Sequence, residues 1–310
     1  VKIHFRKSLI ALRQKNVLSK TMFDSLTIIG PGLLGASIAM SVMEHKLTQT
    51  VHVWARNEAK RKLCSELPWC THVHASLIDA VKDSDLILLC TPVDTMVPLL
   101  ESIAPHLKAG ALVSDVGSVK NSICQGAEQV AKGSTLNFIG SHPMAGSEKG
   151  GMEHASGDLL KGAPCILTPT EQTDLMHLNL LEDFWSQLEM HTSCMSPQDH
   201  DSLIARISHL PHIVASLLAA SLDEMSEDAF RHAGGGLKDT TRIAGGNPDL
   251  WQSILAENTE AVLRSISVFE SVLESLKSSI ETKDFDHLNH ILKRGQRVRK
   301  RIEQSDPFNA

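Results

Sequence analysis

The first half of the chain alternates short apolar runs with stretches of helical periodicity. The apolar runs are LTIIG (26–30), VHVWA (51–55), DLILLC (85–90), ALVSD (111–115) and NFIG (137–140). Runs of this length, bounded by glycine or polar residues, predict buried strands. Apolar residues recur at helical spacing between them, for example over residues 59–67 and 93–106. This alternation predicts an α/β fold of the Rossmann type, a doubly wound parallel sheet with helices on both faces.

The second half of the chain has a helical pattern. Residues 190–196, MHTSCMS, fit one last strand, and helical periodicity then covers residues 197–222, 250–279 and 283–303. We therefore expect a cofactor-binding domain over residues 22–170 and an all-helical domain over residues 171–310.

The first 21 residues differ from the rest in charge. They carry six Lys and Arg residues and no acid, in a chain whose formal net charge is −6. A basic, acid-free start is typical of an organelle transit peptide. We favour two other interpretations, a translated upstream stretch or a basic arm, with Met22 as the natural start.

A glycine-rich turn follows the first predicted strand and opens a helix. Gly30, Gly32 and Gly35 form a GxGxxG pattern in GPGLLG, and the helical stretch ASIAMSVMEH follows it. Glycines at these places permit a tight turn and let the backbone approach a pyrophosphate, which the helix N-terminus then faces. Leu33 and Leu34 supply the first backbone N–H groups of that helix. The pattern predicts a dinucleotide site.

The end of the second strand bears on the choice of cofactor. NAD-binding sheets place an acid there to bind the ribose hydroxyls, whereas this chain has Ala55 followed by Arg56. A guanidinium can pair with a 2′-phosphate, so NADP is favoured. NAD is the alternative, if Arg56 stacks on adenine or is solvated. Thr91 and Pro92, after the fourth strand, are expected to line the same cofactor.

Composition narrows the class of protein. The net charge argues against a nucleic-acid partner, and no apolar run approaches the ~18 residues of a membrane span. The six cysteines form no CxxC pair, which favours reduced thiols in a cytoplasmic protein. His200, His209 and His212 lack the carboxylate arrangement of a zinc protease, so no metal site is expected. The absence of tyrosine excludes a mechanism with a tyrosine proton donor.

Five motifs together resemble one enzyme family. GPGLLGAS, DVGSVK, HPMAGSE, the DHD…SHLPH helix and LKDTTRIAGGNPDLW occur in the order and spacing seen in prephenate and arogenate dehydrogenases, the TyrA family of tyrosine biosynthesis. The resemblance implies a Rossmann domain followed by an all-helical domain that forms a homodimer, with the active site between the two. It also implies oxidation of a small-molecule substrate, prephenate or arogenate, by NAD(P)+ with loss of CO2.

The resemblance assigns roles to residues in these motifs. His142 is implied to accept the substrate's hydroxyl proton, a task that suits imidazole, and Ser118 to hydrogen-bond both the histidine and the hydroxyl. Ser147 and Glu148 are implied to lie at the substrate mouth. The implied substrate contacts are His212, Arg242 and Trp251. His200 and Ser208 also match motif positions, but a purely structural role is equally open for them.

Three alternatives remain at this point. Prephenate is favoured over arogenate, because His212 and Arg242 would not attract the ammonium group of arogenate. A β-hydroxyacid dehydrogenase or imine reductase predicts a lysine on the first interdomain helix, where this chain has His200 and His212. A non-catalytic NADP-binding regulator would need the glycines but not His142, Ser118 or Arg242.

Overall fold

The computed structural model describes residues 21–146 and 150–305. Its first unit contains an eight-stranded sheet with the strand order β3-β2-β1-β4-β5-β6-β7-β8. The strands are β1 (Phe23–Ile29), β2 (Thr48–Trp54), β3 (His72–His74), β4 (Leu86–Leu89), β5 (Leu112–Asp115), β6 (Asn137–Pro143), β7 (Pro164–Thr168) and β8 (His191–Cys194). The predicted Rossmann-type sheet is confirmed.

Six helices cover the two faces of this sheet. They are α1 (Leu33–Glu44), α2 (Glu58–Ser65), α3 (Leu77–Val81), α4 (Val93–Ile103), α5 (Asn121–Ala131) and α6 (Leu175–Gln187). Apolar side chains of α1, α2 and α6 pack in one core cluster, and those of α3, α4 and α5 in a second. Central strands are therefore covered on both sides.

The central strand β4 shows why its sequence is apolar throughout. All four of its residues are buried. Leu86 and Leu88 join the core on the α1 face, while Ile87 and Leu89 join the core on the α4 face. Successive side chains of a strand point to opposite faces, so a strand covered on both sides needs an apolar residue at every position.

Two features of the sheet depart from the sequence expectation. β7 runs antiparallel to β6, so the sheet is not parallel throughout. β8 then pairs with β7 in parallel and lies past residue 170. Because α6 and β8 belong to this sheet unit, we propose that the cofactor-binding domain extends to Cys194, the last residue of β8, and not to residue 170.

The strand order places the binding crevice. Chain connectivity runs outward from β1 to β3 on one side and from β4 to β6 on the other. The loops after β1 and β4 therefore diverge to opposite faces and leave a crevice at the carboxyl ends of these strands, where doubly wound folds hold their ligands.

The second unit is helical, as predicted. Its helices are α7 (Pro197–Ile204), α8 (Leu210–Ala220), α9 (Glu227–Phe230), α10 (Gly235–Thr241), α11 (Pro248–Glu257), α12 (Thr259–Glu281) and α13 (Phe285–Gln304). A π-helical turn, Ala205–His209, joins α7 to α8. Such turns insert one extra residue into a helix and are frequent at functional sites.

Two details of the helical unit differ from the prediction. Residues 250–279 form two helices instead of one, because Asn258 between α11 and α12 leaves helical geometry at φ −120° and ψ 30°. The glycine-rich segment 233–251, interpreted as a substrate-facing turn, contains α10, a 3-10 turn over Arg242–Gly245 and the start of α11.

The segment Pro197–Ala220 is long and apolar enough, by length and composition, to cross a membrane. The length of uninterrupted apolar runs predicts no such segment, because polar residues lie among the apolar ones in this helix. Core helices of ordinary domains meet the same measure. This one carries the buried polar side chains His200, Asp201 and His209, which bond to other parts of the protein.

Candidate active site

The glycine turn after β1 is held against the loop after β4. Gly30 has φ +94°, and a Cβ there would lie 2.7 Å from the Thr91 methyl carbon and 2.9 Å from the carbonyl oxygen of Cys90. A Cβ on Gly35 would lie 2.5 Å from the carbonyl oxygen of Gly30. Neither Gly30 nor Gly35 has space for a side chain. Gly30 also has a positive φ, which favours glycine. The Thr91 side chain thus lies against the glycine turn, and Pro92 follows it as the N-cap of α4.

The same turn leaves room for an anion. A Cβ on Gly32 would meet no atom within 4 Å. Gly32 is the N-cap of α1, and no side chain caps this helix end. The first N–H groups of α1, at Leu33 and Leu34, therefore have no capping side chain, and the space beside Gly32 is open. Uncapped donors at a helix N-terminus fit a pyrophosphate, so the residues present fit a dinucleotide.

The end of β2 presents a cation next to this turn. Ala55 is buried and Arg56 is exposed. Arg61, one helical turn further on, donates from Nη1 to the carbonyl oxygens of Ala55 at 2.7 Å and Arg56 at 2.9 Å. These bonds fix the backbone at the strand end while leaving the Arg56 side chain exposed to solvent.

His142 lies near the end of β6, on the same edge of the sheet as the glycine turn. Its side chain is 7% exposed. The Nδ1 atom of His142 lies 2.8 Å from Nε2 of His200, on α7. Burial lowers the pKa of His142 well below its ordinary value, and His200, Lys120 and His209 lower it further. The imidazole is therefore neutral at neutral pH.

His200 is bound on its other side by Asp201. The two side chains meet at 2.8 Å between Nδ1 and Oδ1. Asp201 also accepts from the backbone N–H groups of Lys120 at 2.8 Å and Asn121 at 2.9 Å. Asp201 thereby caps α5, where a carboxylate is favoured by the helix dipole. A chain of hydrogen bonds therefore runs from His142 through His200 to the first turn of α5.

A buried ion pair lies beside this chain. Lys120 and Asp115, both fully buried, pair through Nζ and Oδ2. Asp115 also accepts from the backbone N–H groups of Gly117 at 2.7 Å and Ser141 at 3.3 Å. A buried charge is tolerated when it is paired and hydrogen-bonded in this way. The pair fixes the loop after β5 to the strand that carries His142.

His209, in the π-helical turn, is fully buried and only partly bonded. Its Nδ1 lies 3.3 Å from the Asn258 side-chain nitrogen, and its Nε2 has no hydrogen-bond partner within the described residues. Burial lowers the pKa of His209 to about 4. The Asn258 side chain also donates to the carbonyl oxygen of Asp201 at 3.0 Å. Asn258 therefore ties α7 and the π-helical turn to the start of α12.

His212 and Trp251 form a stacked pair. Their ring centroids are 3.5 Å apart with an interplanar angle of 11°. A Cβ on Gly246 would lie 2.9 Å from the Trp251 ring nitrogen, so this glycine lets the backbone approach the pair. Burial lowers the pKa of His212, which makes it a neutral hydrogen-bonding group and not a cation at neutral pH. Arg242 opens the 3-10 turn that precedes Gly246.

The structure brings only some of the predicted site residues together. The glycine turn, Thr91 and Pro92 meet at one crevice, and His142 lies at the same edge of the sheet. The bond expected between Ser118 and His142 is absent within the described chain, where the imidazole partner is His200. Ser147 and Glu148 lie outside the described residues.

Sequence reasoning missed four contributors to the site. Lys120 and Asp115 could not be predicted as contributors, because no local sequence pattern indicates a buried ion pair. Asp201 and Asn258 act through contacts with distant segments, although the adjacent DHD letters mark Asp201 as a polar residue beside His200. The four have a common role, since each holds a loop or helix end near His142.

The Rossmann sheet, the open glycine turn and a buried imidazole on the same edge of the sheet define an NAD(P)-dependent dehydrogenase. The family model described as "Prephenate dehydrogenase, nucleotide-binding domain" matches residues 38–193, and that described as "Prephenate dehydrogenase, dimerization domain" matches residues 196–294. The chain belongs to the prephenate dehydrogenase family.

Individual relatives cover nearly the whole chain. The chain is 32% identical over 283 residues to a cyclohexadienyl dehydrogenase of Zymomonas mobilis, covering 90% of this chain and 96% of that protein. The crystal structure of Aquifex aeolicus prephenate dehydrogenase, in complex with hydroxyphenyl propionate and NAD+, superposes with a TM-score of 0.84 at 32% identity, covering 93% and 100% of the two chains. A Synechocystis arogenate dehydrogenase gives a TM-score of 0.76 at 31% identity, covering 90% and 99%.

Proposed function

We propose that this protein oxidises prephenate to 4-hydroxyphenylpyruvate and CO2, with hydride transfer to NADP+, in tyrosine biosynthesis. The observation that carries the proposal is the environment of His142. A buried, neutral imidazole lies at the edge of the sheet that also bears the glycine turn. Such a group can accept a proton from a substrate bound beside a nicotinamide.

The chemistry of prephenate matches this site. Its ring bears a hydroxyl opposite a quaternary carbon that carries a carboxylate. His142 takes the hydroxyl proton, the carbinol carbon gives up its hydride, and the C–CO2 bond breaks so that the ring becomes aromatic. When bound, the nicotinamide supplies the hydride acceptor. Aromatisation supplies most of the driving force, so His142 needs only to accept one proton at the right place.

The groups proposed for the substrate side chain favour a keto acid. Arg242 is a cation that pairs with carboxylates, and the buried His212 is neutral. Neither group attracts the ammonium that arogenate carries where prephenate has a keto group. Arogenate is the second candidate, since the Synechocystis relative at 31% identity is an arogenate dehydrogenase.

Trp251, stacked on His212, would hold that imidazole in place. We retain Ser118, Ser147 and Glu148 as proposed substrate-site residues on the resemblance of their motifs.

NADP+ is the proposed cofactor over NAD+. Arg56 is exposed at the end of β2, and the preceding residue is the apolar Ala55 in place of an acid. A guanidinium at this position can pair with the 2′-phosphate, and no carboxylate stands there to repel it.

We further propose a homodimer in the cytoplasm. Both long helices of the second unit present exposed apolar side chains, which are favoured as an interface. They are Leu263, Val268, Phe269, Leu273 and Ile280 on α12, and Phe285, Leu292, Val298 and Ile302 on α13. All six cysteines are free thiols, which fits a reducing compartment.

One experiment tests the substrate and cofactor together. Purified enzyme is assayed with prephenate and with arogenate, each with NAD+ and NADP+, by following the absorbance of the reduced nicotinamide. We expect the highest kcat/KM for prephenate with NADP+. A higher kcat/KM on arogenate would replace the proposed substrate, and turnover of neither compound would refute the function.

A further inference from the structure

Asp201, in the middle of α7, determines which ring nitrogens of His200 and His142 carry hydrogen. Asp201 receives three donors: the backbone N–H groups of Lys120 and Asn121, and the imidazole of His200. The two backbone groups can only donate. Its Oδ1 is already an acceptor for Lys120, and it is the atom that meets Nδ1 of His200 at 2.8 Å. Nδ1 of His200 therefore carries the hydrogen of that bond.

The neutrality of His200 determines whether its Nε2 donates or accepts a hydrogen bond. This side chain is fully buried, and burial lowers its pKa. The charged groups around it are Asp201 and Asp115, which favour protonation, and Lys120, which opposes it. A neutral imidazole has one N–H. With that hydrogen on Nδ1, Nε2 of His200 is an acceptor.

The hydrogen bond from His142 to this acceptor determines the tautomer of His142. Its Nδ1 lies 2.8 Å from that acceptor and must donate to it. His142 is neutral for the reason given above, so its second nitrogen, Nε2, has a lone pair and no hydrogen. In the opposite tautomer, Nε2 would carry a hydrogen and could not accept a proton from a hydroxyl group.

We propose that His200 and Asp201 are positioning residues that fix His142 in the Nδ1–H tautomer, so that its Nε2 accepts the substrate proton. This inference rests on the proposed function, because it specifies how the proposed acceptor is prepared. The same chain stabilises the product of that step. When His142 gains a proton on Nε2, its Nδ1–H bond to His200 and the His200 bond to Asp201 connect the new positive charge to a carboxylate.

The tautomer can be measured directly. Enzyme labelled with 15N-histidine is studied by NMR without substrate at neutral pH, and the His142 signals are assigned by their loss in His142→Asn. We expect Nδ1 of His142 to show a protonated, pyrrole-type nitrogen shift and Nε2 an unprotonated, pyridine-type shift. Protonated Nε2 in the wild-type enzyme would overturn the proposal whatever the activity of any variant.

Two variants of His200 test its effect on turnover. His200→Asn is too short to reach His142, whereas His200→Gln can place its carbonyl oxygen near the position of the lost Nε2. We expect His200→Asn to lower kcat roughly 10- to 100-fold, a part of what a positioned base contributes. The KM for prephenate should stay within about threefold, since the substrate contacts are elsewhere. His200→Gln should recover part of kcat.

Controls separate positioning from folding. Gln198→Ala alters an exposed residue on the same helix and should leave kcat unchanged. An unaltered kcat in His200→Asn, or a lowered kcat with the His142 tautomer unchanged, would contradict the proposal. Lack of turnover in the wild-type enzyme would instead refute the proposed function, because the tautomer is measured without substrate.

Discussion

The proposed choice of cofactor depends on two residues that follow the carboxyl end of β2. Ala55 and Arg56 occupy the end of β2, where NAD-binding proteins carry an acid. Arg61 holds the backbone there through two carbonyl oxygens, so the position of Arg56 is fixed by its neighbour and not by its own side chain. The Arg56 side chain can therefore be removed without disturbing the strand.

Replacing Arg56 by alanine tests the proposed cofactor. A charge-assisted contact is worth about 1.5–3 kcal/mol, or roughly 10- to 150-fold in affinity. We expect Arg56→Ala to lower kcat/KM for NADP+ by about this factor and to leave NAD+ kinetics almost unchanged. Lys60→Ala, an exposed cation on α2, is the matched control. Equal losses for NAD+ and NADP+ would mean that Arg56 stacks on adenine.

Replacing His142 by asparagine tests the proton acceptor. A positioned general base contributes roughly 10²- to 10⁴-fold to the rate, and asparagine cannot accept and hold the proton. His142→Asn should therefore lose most of kcat while still binding NADP+, as measured by fluorescence titration. Retention of more than about a tenth of wild-type kcat would show that another group takes the proton.

Arg242 is tested through the KM for substrate. Loss of a charge-assisted bond to a carboxylate should raise the KM for prephenate roughly 10- to 100-fold in Arg242→Gln. The KM for NADP+ should not change. Arg264→Gln, on the exposed side of α12, removes a cation of the same unit and serves as the control. An unchanged prephenate KM would remove Arg242 from the substrate site.

At the scale of elements, local periodicity predicted most of the fold. The five apolar runs of the first half became β1, β2, β4, β5 and β6, because central strands must be apolar on both faces. The reversed direction of β7 could not be predicted, since strand pairing depends on contacts between distant segments. The break at Asn258 was missed for a related reason. Asparagine is a weak helix breaker, and the bonds that compensate the break lie on α7 and the π-helical turn.

Asn258 offers a test of that break. Alanine favours a helix by about 0.5 kcal/mol over asparagine. Losing the bonds to Asp201 and His209 costs about 1–3 kcal/mol, because both partners are buried. We expect Asn258→Ala to lower the free energy of unfolding by about 1–2 kcal/mol, as measured by urea denaturation. Gln252→Ala, an exposed change on α11, should have little effect. An unchanged or raised stability would show that these bonds do not support the break.

At the scale of the whole molecule, the proposed site combines residues from both units. His142 comes from the sheet, whereas His200, His209 and His212 come from the segment that follows β8. The sequence marked each of these residues as a motif position, but His142 and His200 are 58 residues apart, and their contact depends on how the two units pack. The motifs therefore name these histidines, whereas the hydrogen bonds between them could not be predicted from the sequence.

These four buried histidines make the stability of the fold depend on pH. Burial lowers the pKa of all four imidazoles in the folded protein. In the unfolded chain they titrate near the ordinary value of about 6.5. At a pH between the folded and the unfolded pKa, the unfolded state binds more protons than the folded state. The free energy of unfolding is therefore highest above the unfolded pKa and falls as the pH is lowered toward the folded pKa.

His209 provides the sharpest test, because its pKa falls to about 4 and it is fully buried. A difference of about 2.5 pH units corresponds to about 3 kcal/mol of stability, lost between pH 6.5 and 4. We expect urea denaturation at a series of pH values to show this loss, to which the other three histidines add.

The variant His209→Gln, which cannot be protonated, should be less stable at pH 7 but should lose less stability on acidification. The change in slope should approach about 1.4 kcal/mol per pH unit, the value for one proton. Parallel stability curves for the two proteins would show that His209 is not held neutral in the folded state.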